Sequence, residues 1–99
     1  MVDINENQAT ERVFKALASS HRLKILSLVL EAEDVCAKDL ASELRLSQPD
    51  VSYHLSKLYQ AGLLNKDKKG TKNCYHLNEN ALKSVGIMPN VLLNNEEVS

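Results

Sequence analysis

The segment LSQPDVSYHLSKLYQAGLL, residues 46–64, constrains the fold more strongly than any other part of this chain. Its apolar side chains recur at i, i+4 and i+7, which predicts one buried stripe along a helix: Val51, Leu55 and Leu58. The helix is expected to start at Ser47, where S-x-x-D is a variant of the capping box, and to stop at Gly62, which tolerates a left-handed C-cap. Its other faces carry Ser, Gln and Tyr, where a packing helix would favour Ala, Leu, Lys or Glu. This pattern predicts a helix that packs on one side and forms hydrogen bonds to a partner on the other.

Helical periodicity also appears in three segments before this helix and in one short segment near the C-terminus. These predicted helices span residues 9–18, 21–31, 37–44 and 78–86. Two strands joined by a loop that contains glycine are predicted over Leu63 to Lys66 and Lys72 to Leu77. A single extended step is expected at Val35 and Cys36. This order of elements predicts a winged helix-turn-helix, a mainly α fold with a small β-hairpin wing.

Length limits what such a chain can do. Ninety-nine residues make one small domain with little room for an enclosed catalytic cavity, and no nucleophile, base and orienting group recur at an interpretable spacing. We therefore expect a binding protein rather than an enzyme. The single domain is predicted over residues 1–99, with a polar arm over 1–8 and an acidic, Asn-rich tail over 90–99. The longest apolar-rich stretch is too short to cross a membrane and the N-terminus does not resemble a signal peptide, so a cytoplasmic location is expected.

Charge is distributed unevenly along the chain, although the formal net charge is only −1. Between Arg45 and His76, six basic residues accompany two acidic residues, an excess of +4, whereas the rest of the chain has an excess of −5. A basic segment within an acidic molecule is typical of a surface that binds nucleic acid. The alternative is that these lysines form an ordinary solvated face.

The predicted DNA contacts lie on the exposed face of the helix over 47–62 and on the basic hairpin that follows it. They are Ser47, Gln48, Ser52, Tyr53, Ser56, Lys57, Lys66, Lys68, Lys69 and Lys72. Glutamine pairs with adenine through two hydrogen bonds, serine contacts bases or phosphate, and lysine suits phosphate. Two alternatives stay open. In the first, the polar residues only cap the helix or are solvated. In the second, the chain is a winged-helix interaction and dimerisation module without DNA binding, which fits the near-neutral net charge better than a repressor does.

Three motifs resemble the ArsR/SmtB family of winged-helix repressors over about residues 12 to 80: FKALASSHRLKILSLVL, the run from DLASEL through SQPDVSYHLSKLYQAGLL, and a wing that ends in YHL. The S-Q-x-x-V-S-x-H-L-x-x-L-x-x-A-G-L run is a specific signal and corresponds to the recognition helix of that family. The resemblance implies a homodimer, built from the first and last helices, that binds double-stranded DNA at an inverted repeat in a promoter. It also implies release from DNA by a metal ion or a thiol-reactive signal, and it places His54 toward the protein interior.

The metal sites of the family do not carry over to this sequence. One site reads C-x-C-D-L, but this chain reads CAKDL, so that Cys36 matches the first thiol while Lys38 puts a cation in place of the second. The other site needs Asp and His ligands along the last helix, and no histidine follows His76. We therefore predict no metal site, no cofactor, and no Zn²⁺ or As(III) sensing through the usual ligand set.

Cys36 and Cys74 are the candidates for a redox function. The extended step at Val35 and Cys36 is expected to pair with the returning wing strand that holds Cys74, which would bring the two thiols within a strand spacing of each other and make a disulfide geometrically feasible. One alternative is that both cysteines are small apolar fillers. A weaker alternative is a Cys/His metal site that includes His76, which shares a face of the strand with Cys74.

Overall fold

The computed structural model describes residues 4–32, 35–84 and 86, and the side chains among them from Gln8 onward. Within these residues the chain forms α1 (Ile4–Leu17), α2 (Ser20–Ala32), β1 (Val35–Cys36), α3 (Ala37–Leu44), α4 (Gln48–Gln60), β2 (Leu64–Lys69), β3 (Lys72–Leu77) and α5 (Glu79–Ser84). Helices dominate, and the strands form one antiparallel sheet in the order β1-β3-β2. The predicted winged helix-turn-helix fold is confirmed.

Two element boundaries differ from the sequence prediction by three residues or more. Helix α1 begins at Ile4, so residues 4–8 of the predicted polar arm are helical; that stretch lacks an apolar period and gave no local signal. Strand β2 continues to Lys69 and not only to Lys66, because its charged end pairs with β3 up to the Lys69–Lys72 pair. The predicted tail over 90–99 lies outside the described residues, as does residue 85 of the predicted last helix.

Local capping explains where helix α4 starts and stops. The Asp50 N–H donates to the Ser47 hydroxyl at 3.2 Å, and Ser47 itself is extended, as an N-cap residue should be. At the other end Gly62 adopts φ +81°, its N–H donates to the Tyr59 carbonyl, and the Leu63 N–H donates to the Leu58 carbonyl. These two bonds form a Schellman motif, which the left-handed glycine makes possible.

A single hydrophobic core holds the elements together. Helix α2 contributes its fully buried side chains to the centre, and α4 contributes the predicted stripe. The largest side chains with less than 2 % exposure are Ile25, Leu26, Val29, Leu40, Val51, Leu55, Leu58, Leu63, Leu64 and Leu82. Since α4 is fixed to this core by one side only, its opposite side is free to contact another molecule.

No helix within the described residues is long and apolar enough to cross a membrane.

The wing is a tight hairpin. Strands β2 and β3 pair over six residues each, and only Gly70 and Thr71 connect the Lys69–Lys72 pair. Gly70 has φ +66° and Thr71 does not have a positive φ, which is the pattern of a type II′ turn. This two-residue turn fixes the register, so the lysines of the hairpin occupy defined positions next to α4.

Candidate nucleic-acid interface

The outer face of α4 is polar and exposed, as the sequence predicts. All ten predicted DNA-contact residues are exposed, whereas the stripe on the opposite side of α4 is buried. The ten exposed residues are Ser47, Gln48, Ser52, Tyr53, Ser56, Lys57, Lys66, Lys68, Lys69 and Lys72. Tyr53 exposes 57 % of its surface, so its ring and hydroxyl are accessible to a partner. The fold therefore presents hydrogen-bonding and aromatic groups along one continuous edge.

Some of these side chains already have partners within the chain. The Ser47 hydroxyl accepts the capping bond, and the Ser56 hydroxyl accepts a bond from the Gln60 amide at 3.2 Å. Lys66 places its ammonium 4.8 Å from the ring centroid of Tyr59, so it joins the base of the wing to the end of α4. The two serine hydroxyls accept in these bonds and can still donate a hydrogen bond to a partner. The contact between Lys66 and Tyr59 helps to hold the wing in place.

Folding brings part of the predicted set into one groove, which we call the wing-side groove. It has a volume of about 300 Å³ and lies between the start of α3, the first turns of α4 and the wing. Its lining includes Gln48 and Ser52 from α4, Lys72 from β3, and Cys36 and Lys38 at the start of α3. A hydrogen-bonding pair from the helix thus lies next to cations from two other elements, with one carboxylate, Asp39, in the same lining. Such a set of side chains can contact both a phosphate chain and a base edge.

His54 lies on the inner flank of α4 and forms a hydrogen bond that sequence reasoning did not foresee. Its Nδ1 atom lies 3.1 Å from the Arg22 guanidinium. Because arginine only donates, Nδ1 must be the acceptor, and a neutral ring then carries its proton on Nε2. Burial, followed by the charges of Arg22 and His21, lowers the pKa of His54 and favours this neutral form. The inward position of His54 agrees with what the family resemblance implies.

Arg22 is a functional candidate that the sequence gave no reason to select. Besides the bond to His54, its Nε donates to the Ala16 carbonyl at 2.7 Å and its Nη2 to the Lys15 carbonyl at 3.4 Å. These carbonyls belong to the last turn of α1, where backbone acceptors lack helical partners. One side chain from α2 therefore joins the end of α1 to α4. Only the folded structure shows this link, because the atoms involved come from three separate helices.

The two cysteines lie side by side in the sheet, as expected from the predicted strand pairing. Cys36 and Cys74 are direct partners in the β1–β3 register, and their sulfur atoms are 3.0 Å apart, longer than a covalent S–S bond. Cys74 is buried, whereas Cys36 is partly exposed and opens into the wing-side groove. His76 instead lies 3.6 Å from the Asp67 carboxylate. Within the described residues, no group of three or more His, Cys, Asp or Glu side chains is placed to hold a metal ion.

Comparison with known proteins assigns the chain to a family. The family model described as "Bacterial regulatory protein, arsR family" matches residues 19–66, from the start of α2 into β2. An uncharacterized HTH-type transcriptional regulator from Methanocaldococcus jannaschii is 36% identical over 73 residues, which are 74% of this chain and 82% of that protein. The transcriptional repressor SdpR from Bacillus subtilis is 39% identical over 71 residues, 72% of this chain and 78% of that protein. The chain belongs to the ArsR family.

A solved structure extends the similarity of this ArsR-family chain to the whole fold. The homodimeric winged helix-turn-helix DNA-binding domain of a Mycobacterium bovis protein superimposes with a TM-score of 0.72 at 25% identity, covering 99% of this chain and 86% of the other. The family relatives are transcription regulators and not enzymes, so the predicted absence of catalysis is confirmed. The ArsR-family chain is a DNA-binding transcription regulator.

Proposed function

We propose that this ArsR-family chain is a homodimeric repressor that places α4 in the major groove at each half of a promoter inverted repeat, while the β2–β3 wing contacts the backbone beside it. The observation that carries the proposal is the wing-side groove, where Gln48 and Ser52 of the recognition helix lie beside Lys72 of the wing. Base-reading groups and phosphate-binding groups are thus adjacent, as sequence-specific DNA binding demands.

Dimerisation is proposed through the first and last helices, and an exposed aromatic side chain on α1 supports the part of the first helix. Phe14 exposes 52 % of its surface, although Val13 and Ala16 on the same helix are buried in the core. Aromatic residues are enriched at subunit interfaces, so an exposed ring on the free side of a terminal helix suits contact with another subunit. The solved relative from Mycobacterium bovis is described as homodimeric, which supports a homodimer here. Two recognition helices related by a twofold axis would match an inverted repeat.

Gln48 is assigned to base readout and the lysines to phosphate binding, which predicts different losses on substitution. Gln48→Ala should weaken binding to a specific duplex by about 1–3 kcal/mol and leave binding to unrelated DNA almost unchanged. Lys68→Ala should weaken binding to both duplexes to a similar, smaller extent, because phosphate contacts carry no sequence information.

Fluorescence anisotropy with a duplex selected from a randomised pool by the wild-type protein, and with an unrelated duplex of equal length, measures both effects. An equal loss on the two duplexes for Gln48→Ala would remove Gln48 from base readout. Indifference of all wing-lysine variants would instead favour the alternative function, an interaction module without DNA binding.

The Cys36 and Cys74 thiols are proposed to form a redox switch for this repressor. Hydrogen peroxide would oxidise the two thiols to one disulfide and be reduced to two water molecules, so that both thiol hydrogens leave the protein. The direct β1–β3 pairing and the 3.0 Å separation of the sulfur atoms support the reaction, because little backbone movement is needed. The bond would join the start of α3 to the wing, two parts of the molecule that border the same groove.

Mild oxidation is therefore expected to change DNA affinity by about tenfold, or about 1.4 kcal/mol, since the wing and α4 must reach DNA together. Mass spectrometry should show the loss of two hydrogen atoms in the wild type, and Cys36→Ser and Cys74→Ser should neither lose them nor respond in the anisotropy assay. A disulfide that forms without altering affinity would identify the cysteines as packing residues.

A further inference from the structure

The recognition helix borders a second cationic groove, on the side away from the wing. This groove, which we call the α1-side groove, has a volume of about 340 Å³ and is lined by Arg12, Lys15, Ala16, Arg22, Tyr53, Lys57, Gln60 and Ala61. Four of these residues are cations and none is acidic. In a chain whose formal net charge is −1, such a concentration of one sign marks a surface suited to an anion.

The two grooves lie on opposite flanks of α4. Gln48 lines the wing-side groove and Lys57 lines the α1-side groove, and their separation of nine positions corresponds to about two and a half helical turns, which puts them on opposite sides of the helix. The exposed crest of α4, with Ser56, runs between the two grooves, and Tyr53 lies where this crest meets the α1-side groove. A helix that enters DNA along this crest would therefore have cations on both of its sides.

The dimensions of duplex DNA match this arrangement. The major groove is about 12 Å wide and a helix with its side chains is about 10–12 Å across, so a helix in the groove has a phosphate chain close to each flank. The wing lysines serve one chain. On the other flank, Lys57 belongs to α4 itself, whereas Arg12 and Lys15 are supplied by α1, more than forty positions away in the sequence.

Arg22 explains why α1 is held against this flank. Its guanidinium donates to the Lys15 and Ala16 carbonyls and to His54, so the last turn of α1 is joined to α4 by hydrogen bonds. Arg22 is therefore a positioning residue, while Arg12 and Lys15 point their charges to solvent. Phe14 follows Arg12 by two residues, or about 200° around the helix, so a dimer contact through Phe14 would leave Arg12 exposed.

We propose that Arg12 and Lys15 of α1 bind the DNA phosphate chain that runs along α4 on the side away from the wing. This rests on the proposed function and deepens it, because each recognition helix is then held between two phosphate chains and not anchored on one side. The occupant is the backbone of duplex DNA. Phosphate contacts do not depend on base sequence, so the same contact forms on unrelated DNA.

The experiment measures how the logarithm of the binding constant depends on the logarithm of salt concentration, using one mixed-sequence duplex of about 30 base pairs, long enough for two half-sites. Each phosphate contact adds about 0.9 to this slope, so Arg12→Gln should lower its magnitude by about 2 in a dimer. Lys24→Gln is the charge-matched control: Lys24 is exposed on α2 and lines neither groove, and its slope should match the wild type.

A third variant tests the sign of the effect. Glu11 forms an ion pair with Lys15, with 2.8 Å between the carboxylate oxygen and the ammonium. Glu11→Gln releases Lys15 and removes a negative charge beside the groove, so the slope should become steeper. All three substituted side chains are exposed, and size-exclusion chromatography verifies that the variants keep the wild-type assembly state.

Equal slopes for Arg12→Gln and Lys24→Gln would overturn this proposal while leaving the proposed function intact, because the wild type would still bind DNA with a salt-dependent affinity. A slope for Glu11→Gln that stays at or below the wild-type value would exclude the Lys15 contact. Absence of salt-dependent binding by the wild type itself would overturn both the proposed function and this inference.

Discussion

The affinity of the protein for duplex DNA is expected to fall by about a thousandfold or more between roughly 50 and 200 mM salt, the loss typical of proteins that make about six to ten phosphate contacts. Four exposed lysines per protomer are assigned to phosphate on α4 and the wing: Lys57, Lys68, Lys69 and Lys72. Two protomers thus bring enough cations to one operator to reach this range. Anisotropy titrations at several salt concentrations, with protein and duplex concentrations held constant, measure the decline.

A wing variant provides the matched comparison for this salt effect. The triple substitution Lys68→Gln, Lys69→Gln and Lys72→Gln should flatten the slope strongly, because about 0.9 per lost contact is removed in each protomer. The three side chains are exposed, so the fold should tolerate their neutralisation. Wild-type binding that is unaffected by salt would show that the lysines do not face DNA, whatever the similarity of the fold to known regulators.

Local chemistry made the recognition helix predictable. Ser47 at the start and Gly62 at the end are signals that act through bonds to neighbouring backbone groups, and both caps form as the sequence indicates. The stripe of Val51, Leu55 and Leu58 likewise depends only on helical spacing, and all three are fully buried. Wherever the determining interaction lies within a few residues, the sequence is a sufficient guide.

Interactions between distant segments were predictable only in part. The pairing of Cys36 with Cys74 could be expected, because a winged helix brings the first extended step to the returning wing strand. The length of β2 could not be predicted, because Asp67, Lys68 and Lys69 are poor strand formers. Only their pairing with β3 holds them in the strand.

Charge gives the clearest example of what a linear sequence hides. Counting along the chain places the positive excess between Arg45 and His76 and assigns the α1 cations to an acidic remainder. Folding moves Arg12 and Lys15 beside Lys57, so the positive surface around α4 is larger than the basic segment alone. Because potential depends on distance in space, net charge and segment sums underestimate it.

Truncation of the buried stripe is expected to have the largest effect on stability. Leu55 lies in the middle of α4 with 0% exposure and packs in the single core of the domain. Leu55→Ala should lower the free energy of unfolding by about 2–5 kcal/mol, from lost transfer energy and from the cavity left behind. Small domains have only about 5–15 kcal/mol in total, so a considerable part of the stability would be lost.

Ser56→Ala is the control for this substitution, because Ser56 is the next residue on α4 and is exposed. Its free energy of unfolding should stay within about 0.5 kcal/mol of the wild type, while its DNA affinity tests the outer face. Chemical denaturation at one fixed protein concentration measures both variants, since dimerisation makes stability depend on concentration. A loss below about 1 kcal/mol for Leu55→Ala would mean that the core does not hold α4. The contrast expected between these neighbours follows from their positions. The inner side of α4 fixes the helix to the domain. The outer side can therefore keep polar groups that contribute little to folding and are available to DNA.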